Sequence, residues 1–155
     1  MTKIVLFLAT ILFLSPTLAR EPVKVLASVH PLALVAASVV EPEHLHTLVA
    51  GHMSPHDFAL RPSDISHLPQ ADIIIWGGAK AEPYLRHFVN RWPDKIWLNA
   101  ADYAPDNAAS DPHWWLSPEA MIGLQAALAE QLGRNSDDFR QQVEQTLATS
   151  DELLA

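Results

Sequence analysis

Short apolar runs, each ended by glycine, proline or polar residues, recur along the chain. Residues 23–28 alternate weakly, and residues 72–76 carry consecutive isoleucines before a tryptophan, as expected of a strand buried on both faces. Residues 44–50 alternate polar and apolar side chains, and residues 96–98 form a fourth run. The pattern therefore predicts a β-strand in each of these four segments.

Apolar side chains at helical spacing fill the intervals between the strands. They predict helices over residues 32–40, 63–68 and 82–92. A further helix, over 117–132, starts with Ser-Pro-Glu, which combines a capping hydroxyl, a proline at the first helical position and an acidic residue, and a glycine closes it. A last helix begins near residue 135 and is still running at Ala155.

Strands that alternate with helices predict an α/β fold, a single lobe with a four-stranded parallel sheet flanked by helices. Ligands of such sheets bind beyond the carboxyl ends of the strands. His30 follows the first strand, His56 lies in the loop after the second, and His113 lies in the loop after the fourth. We therefore expect these three histidines to converge on one edge of the sheet.

His56 and His113 share a local pattern. His56 lies in Pro-His-Asp-Phe and His113 in Asp-Pro-His-Trp. Proline stiffens each approach, and the neighbouring carboxylate of Asp57 or Asp111 can orient an imidazole from behind rather than bind an ion itself. The pattern is typical of a metal site, whereas a plain surface turn would leave its histidines without a role.

The first residues predict export. Lys3 precedes an apolar run over residues 4–14, and the small residue Ala19 ends the segment, as in a cleaved secretory signal. The run is too short to span a bilayer as a mature helix. We expect residues 1–19 to be a signal peptide and residues 20–155 to form a periplasmic lobe.

Composition narrows the set of partners. The net charge is -8 at pH 7, which disfavours nucleic acid and anionic membranes as partners. The chain has no cysteine and eight histidines, so a metal site would use His, Asp and Glu, ligands that suit zinc or a related divalent ion. The sequence has no H-E-x-x-H helix and no carboxylate clearly placed as a general base, so we do not expect an enzyme.

Two longer motifs resemble a known family. Residues 55–64 (PHDFALRPSD) resemble the first metal-ligand region of the zinc- and manganese-binding solute-binding proteins of ABC importers, and residues 111–118 (DPHWWLSP) resemble the second. Residues 27–32 (ASVHPL) fit the same family. The resemblance covers the mature chain in order and is best to the ZnuA-like zinc uptake proteins.

The resemblance implies two α/β lobes joined by one long helix, with the metal held between them. His56 and His113 match the two ligands of the first lobe, and the other two come from the second lobe. This chain is expected to be the N-terminal lobe only, ending in the start of the connecting helix. The implied function is periplasmic zinc binding, either for an ABC permease or as an accessory chaperone for a full-length metal-binding protein.

Two imidazoles leave two positions of a four-coordinate zinc ion open. His30 is the preferred third ligand and His52 the next candidate. Water, a second protomer in a metal-linked homodimer or a partner protein could also fill these positions. Manganese or another divalent ion is the alternative to zinc as the bound metal. His44 and His46 are interpreted as surface or satisfied histidines.

Some residues have a purely structural interpretation. We predict that Trp76, Trp92 and Trp97 belong to the core. Trp114 and Trp115 either wall the site or pack a further lobe. Two competing functions stay open: a truncated, degenerate fragment without transport function and, less favoured, a zinc hydrolase with an open coordination position.

Overall fold

Four parallel strands run through the middle of the lobe. The computed structural model describes residues 21–54, 58–104 and 113–154. The strands are β1 Val25–Val29, β2 Leu45–Val49, β3 Ile73–Trp76 and β4 Ile96–Asn99. They lie in the order β2-β1-β3-β4, and every neighbouring pair is parallel. The predicted α/β fold with a four-stranded parallel sheet is therefore confirmed.

Helices flank this sheet. In the described ranges the α-helices are α1 His30–Ala36, α2 Pro62–Ile65, α3 Gly78–Ala81, α4 Arg86–Arg91, α5 Pro118–Leu132 and α6 Asp137–Leu154. Short 3-10 turns lie at Pro42–His44, Leu68–Gln70, Ala100–Tyr103 and Trp114–Leu116. Among the helices of the described chain, none is long and apolar enough to cross a membrane.

The apolar core has two parts, one on each face of the sheet. β1 and β3 are buried along their whole length. The isoleucine run predicted this for β3, whereas the weak alternation of residues 23–28 did not predict it for β1. Because successive strand side chains point to opposite faces, each strand supplies both parts. Val29 packs with Val35 of α1 and Leu128 of α5 on one face. Leu26 packs with Leu85, ahead of α4, on the other. Burial on both faces holds β1 and β3 in the centre.

The tryptophans predicted to be core residues lie on the second face. Trp76 is buried, and Trp92 and Trp97 are half-buried against the same apolar cluster. The ring of Trp97 meets that of Trp76 edge-on, with centroids 5.9 Å apart. The indole N–H of Trp97 donates to the carbonyl oxygen of Trp92 at 3.1 Å, which satisfies its polar end.

Helix α5 begins and ends as its sequence predicts. The Ser117 hydroxyl caps the helix by accepting the backbone N–H of Ala120 at 3.3 Å. Gly133 follows the last turn with φ 65°, and its N–H donates to the carbonyl oxygens of Ala129 and Glu130. This helix follows directly after the short turn that starts one residue after His113.

The predicted helix over residues 82–92 is wrong in its first half. Helix α3 starts earlier, and the chain then leaves helical geometry at Glu82, with φ -129° and ψ 65°, before α4 begins at Arg86. Pro83 disfavours helical geometry in the residue before it. In addition, the Glu82 side chain turns into the sheet and hydrogen-bonds there. A tertiary contact therefore overrides the helical spacing of the apolar residues.

Other boundaries shift by a few residues. Helix α1 starts at His30, ahead of the predicted position, because Pro31 occupies its first turn. It ends at Ala36, and the buried Val39 and Val40 follow in a turn rather than in the helix. The helix predicted over 63–68 is reduced to the single turn of α2.

Gly78 offers a test of how tightly the carboxyl edge is packed. Its φ is +89°, and a Cβ there would lie 2.6 Å from Oδ1 of Asn99. Gly133 also has a positive φ, but a Cβ there meets nothing within 4 Å. We expect Gly133→Ala to cost roughly 1–2 kcal/mol for the left-handed backbone alone. Gly78→Ala should cost at least about 1 kcal/mol more, because the Asn99 side chain must also move and would disturb its hydrogen bonds to Ala101 and Asp102.

Denaturant unfolding of both variants measures this difference. Since Gly133→Ala carries the backbone strain without the close contact, it is the matched control. Equal losses of unfolding free energy in the two variants would contradict close packing of Gly78 against Asn99.

Candidate metal site

The carboxyl ends of the four strands form one edge, and His30 lies on it. His30 directly follows β1, begins α1 and is exposed. The loop after β2 passes against its ring, because a Cβ at Gly51 would lie only 2.9 Å from Cδ2 of His30. The loop that carries His52 and His56 therefore starts in contact with His30. The expected convergence of His30, His56 and His113 stays a prediction.

His56, together with Pro55 and Asp57, lies outside the described residues. The described chain resumes at Phe58, which is half-buried and packs against both apolar clusters. Its ring meets the Tyr84 ring edge-on, with centroids 5.7 Å apart. His52, at the start of the loop, is exposed.

His113 is placed by the segment that leads into α5. It is exposed, its ring meets the Trp115 ring edge-on at 5.2 Å between centroids, and its carbonyl oxygen accepts the Leu116 N–H at 2.9 Å. Trp115 is half-buried and packs against the core cluster that includes α1. Asp111, the neighbouring carboxylate of the motif, lies outside the described residues.

These placements leave the ligand set as a prediction. Among the residues that the structure describes, which do not include His56, no three His, Asp or Glu side chains are grouped closely enough to hold a metal ion. His30 and the start of the His56 loop are in contact. His113 lies beside a ring that packs on the same core cluster as α1.

His44, His46 and His67 belong to the opposite edge. They line a shallow depression with Lys24 at the amino ends of β1 and β2. The rings of His46 and His67 stack with centroids 4.0 Å apart. Partial burial, and then the neighbouring His67, lower the pKa of His46, while Asp64 opposes the shift. These histidines therefore lie at the edge that does not carry the candidate site.

Sequence reasoning missed Glu82, a buried carboxyl at the candidate edge. Its side chain is 3 % exposed. Oε1 accepts the Ser28 hydroxyl at 2.7 Å, and Oε2 accepts the Gly77 N–H at 2.9 Å. Burial raises the pKa of Glu82 to about 7, although both hydrogen bonds act in the opposite direction. A carboxyl soon after a buried strand and directly before Pro83 was the available signal.

Comparison with known proteins decides the family. The family model described as "Zinc-uptake complex component A periplasmic", ZnuA, matches residues 25–155. The chain belongs to this family. The family and its relatives are metal-binding solute-binding proteins of ABC importers, not enzymes, so the predicted resemblance is confirmed and nothing in the comparisons favours a zinc hydrolase.

Two relatives and one solved structure show how much of a ZnuA-type protein this chain spans. The high-affinity zinc uptake system protein ZnuA of Yersinia pestis is 35% identical, with 84% of this chain and 53% of that protein covered. The manganese ABC transporter substrate-binding lipoprotein PsaA of Streptococcus pneumoniae is 24% identical, with 94% of this chain and 54% of that protein covered. The Pseudomonas aeruginosa solute-binding protein FpvC, solved with Ni2+, shares the fold with a TM-score of 0.71 at 18% identity. The match covers 83% of this chain and 53% of that protein. The chain thus spans about half the length of the curated relatives it matches.

Proposed function

We propose that this chain is the first lobe of a periplasmic zinc-binding protein that serves ABC-type metal uptake. The observation that carries the proposal is the contact between His30 and Gly51, which brings the start of the His56 loop to the carboxyl edge of a ZnuA-type sheet. His56, His113 and His30 are the proposed ligands. Residues 1–19 are proposed to be a cleaved signal peptide, and zinc is the cargo.

The ligand chemistry favours zinc over manganese. Three imidazoles and no carboxylate form a set that suits zinc, whereas manganese prefers oxygen ligands. The Yersinia relative is a zinc uptake protein and the Streptococcus relative a manganese one, so both ions belong in the test. The fourth position is open to His52, water, a second protomer or a further segment of polypeptide. The chain would deliver its zinc to an ABC permease or to a full-length metal-binding protein.

Metal titration of the exported protein tests the proposal. The full chain is expressed with its own leader, purified from the periplasm, stripped with a chelator and titrated with Zn2+ and Mn2+ in a calorimeter. We expect one zinc ion per chain at a micromolar or lower Kd and weaker manganese binding. Zinc binding no better than about millimolar would contradict the proposal. The mass of the purified chain reports removal of residues 1–19.

A second candidate is a fragment without transport function. An apolar groove between α1 and α6 exposes Leu34 by 62 % and Leu116 by 77 %. Exposed apolar surface of this kind favours aggregation. Sedimentation of the same preparation separates the two candidates: a monomer or zinc-linked dimer that unfolds cooperatively supports the carrier, and zinc-independent aggregates support the fragment.

A further inference from the structure

The segment that follows β3, residues 77–85, contacts the candidate edge in two places. Glu82 reaches Ser28, which lies two residues before His30. Tyr84 reaches Phe58, which lies two residues after His56. Neither Glu82 nor Tyr84 belongs to the predicted ligand set, yet each contacts a neighbour of a proposed ligand.

Glu82 joins the ends of the two central strands. Ser28, near the end of β1, is completely buried, and Gly77 directly follows β3. One carboxyl accepts a hydrogen bond from each of them. Burying a carboxyl is unfavourable compared with burying an apolar side chain of similar size. The two hydrogen bonds of Glu82 fix the positions of Ser28 and Gly77 relative to each other. An apolar side chain could not do this, because it cannot hydrogen-bond.

The Tyr84 ring lies at the exit of the loop after β2. The ring packs edge-on against Phe58, and the hydroxyl is buried with no hydrogen-bond partner among the described residues. Among the described residues, the ring alone therefore makes the contact with Phe58. The packing of the aromatic ring against Phe58 is the interaction that bears on the loop.

The loop after β2 is consequently held at both ends. Its entrance at Gly51 lies against the His30 ring, and its exit at Phe58 lies against Tyr84. A loop whose ends are fixed loses less conformational entropy when one of its side chains is ordered around an ion. The segment 77–85 holds the exit directly, and through Ser28 it holds the strand that leads into His30.

We propose that Glu82 and Tyr84 are positioning residues of the zinc site: they hold the end of β1 and the exit of the His56 loop without binding the ion. This inference rests on the proposed function. It identifies residues outside the two ligand motifs that determine how tightly the lobe holds its cargo.

Paired variants in the full chain test the Glu82 contact. Glu82→Gln keeps a hydrogen bond to each partner, because its amide oxygen can accept the Gly77 N–H and its amide N–H can donate to the Ser28 hydroxyl oxygen. Glu82→Leu keeps the volume and loses both bonds. We expect Glu82→Leu to weaken zinc binding by about 10- to 100-fold, the range for groups that orient ligands, and Glu82→Gln to stay within about threefold of the unaltered chain.

Tyr84 provides an independent pair that decides the matter if Glu82→Leu does not fold. Tyr84→Ala removes the ring and should weaken zinc binding by about 10-fold or more. Tyr84→Phe removes only the hydroxyl and should bind zinc like the unaltered chain. A Tyr84→Phe variant as weak as Tyr84→Ala would overturn the role given to the ring.

Affinity is measured by calorimetry at a temperature where circular dichroism shows each metal-free variant to be fully folded. A merely structural role would lower the unfolding midpoint without changing the zinc Kd of the folded protein. Unchanged affinity in Glu82→Leu and Tyr84→Ala would overturn the inference. If the unaltered chain itself binds no zinc, the proposed function fails instead, so the two failures are distinguishable.

Discussion

A double variant, His56→Ala with His113→Ala, is expected to bind zinc at least about 100-fold more weakly than the unaltered chain. These residues are two of the three proposed ligands, and His30 alone cannot hold an ion that favours four ligands. A 100-fold loss corresponds to about 2.7 kcal/mol of binding free energy. Calorimetric titration with Zn2+ measures it, and far-ultraviolet circular dichroism checks that the variant is folded.

The chain supplies a matched control for this experiment. His46 and His67 stack on each other at the amino edge of the sheet. A His46→Ala, His67→Ala variant removes the same number of imidazoles from the same lobe and should leave zinc binding unchanged. If this control lost as much affinity as the first variant, zinc would be held by histidines in general and not by the proposed edge.

Single variants decide whether His30 or His52 is the third ligand. His30→Ala should weaken binding more than His52→Ala, because the His30 ring is in contact with the loop at Gly51. The reverse order would make His52 the third ligand while keeping the site at the same edge.

Glu82→Gln is expected to become more stable than the unaltered chain as pH rises. Burial raises the pKa of Glu82 from 4.5 to about 7, so the folded state favours the protonated carboxyl. A raised pKa contributes stability that is fully present below pH 4.5 and is lost as pH rises through about 7. The difference between the two pKa values corresponds to roughly 3 kcal/mol.

Urea unfolding of the metal-free protein between pH 4.5 and 8.5 measures this effect. The free energy of unfolding of Glu82→Gln minus that of the unaltered chain should grow by roughly 3 kcal/mol across the range. The lowered pKa of His46 acts with the opposite sign, because its contribution is lost as pH falls below about 6.5, but it is common to both proteins and cancels. A difference that does not change with pH would show that Glu82 does not titrate in this range.

The fold was largely predictable from local pattern. The isoleucines of β3 predict a strand buried on both faces, and Ser117 and Gly133 mark the ends of α5 by capping alone. These features depend on residues adjacent in sequence. The parallel sheet then followed from the alternation of strands and helices.

The break at Glu82 was not predictable in the same way. The apolar residues around it have helical spacing, and the reason that the helix breaks lies in a hydrogen bond to a residue 54 positions away. The site shows the same division. The motifs predict His56 and His113 as ligands, whereas the contact between Gly51 and the His30 ring depends on the pairing of β1 with β2.

The two apolar clusters have a consequence for the working cycle of a carrier. Structural zinc sites supply the folding energy of small domains, which unfold when the ion leaves. Here Val29, Leu26, Ile74 and their neighbours form a core on each face of the sheet that contains no metal ligand. We therefore expect the lobe to stay folded without the ion, so that a carrier of the proposed kind would not need to refold between one ion and the next.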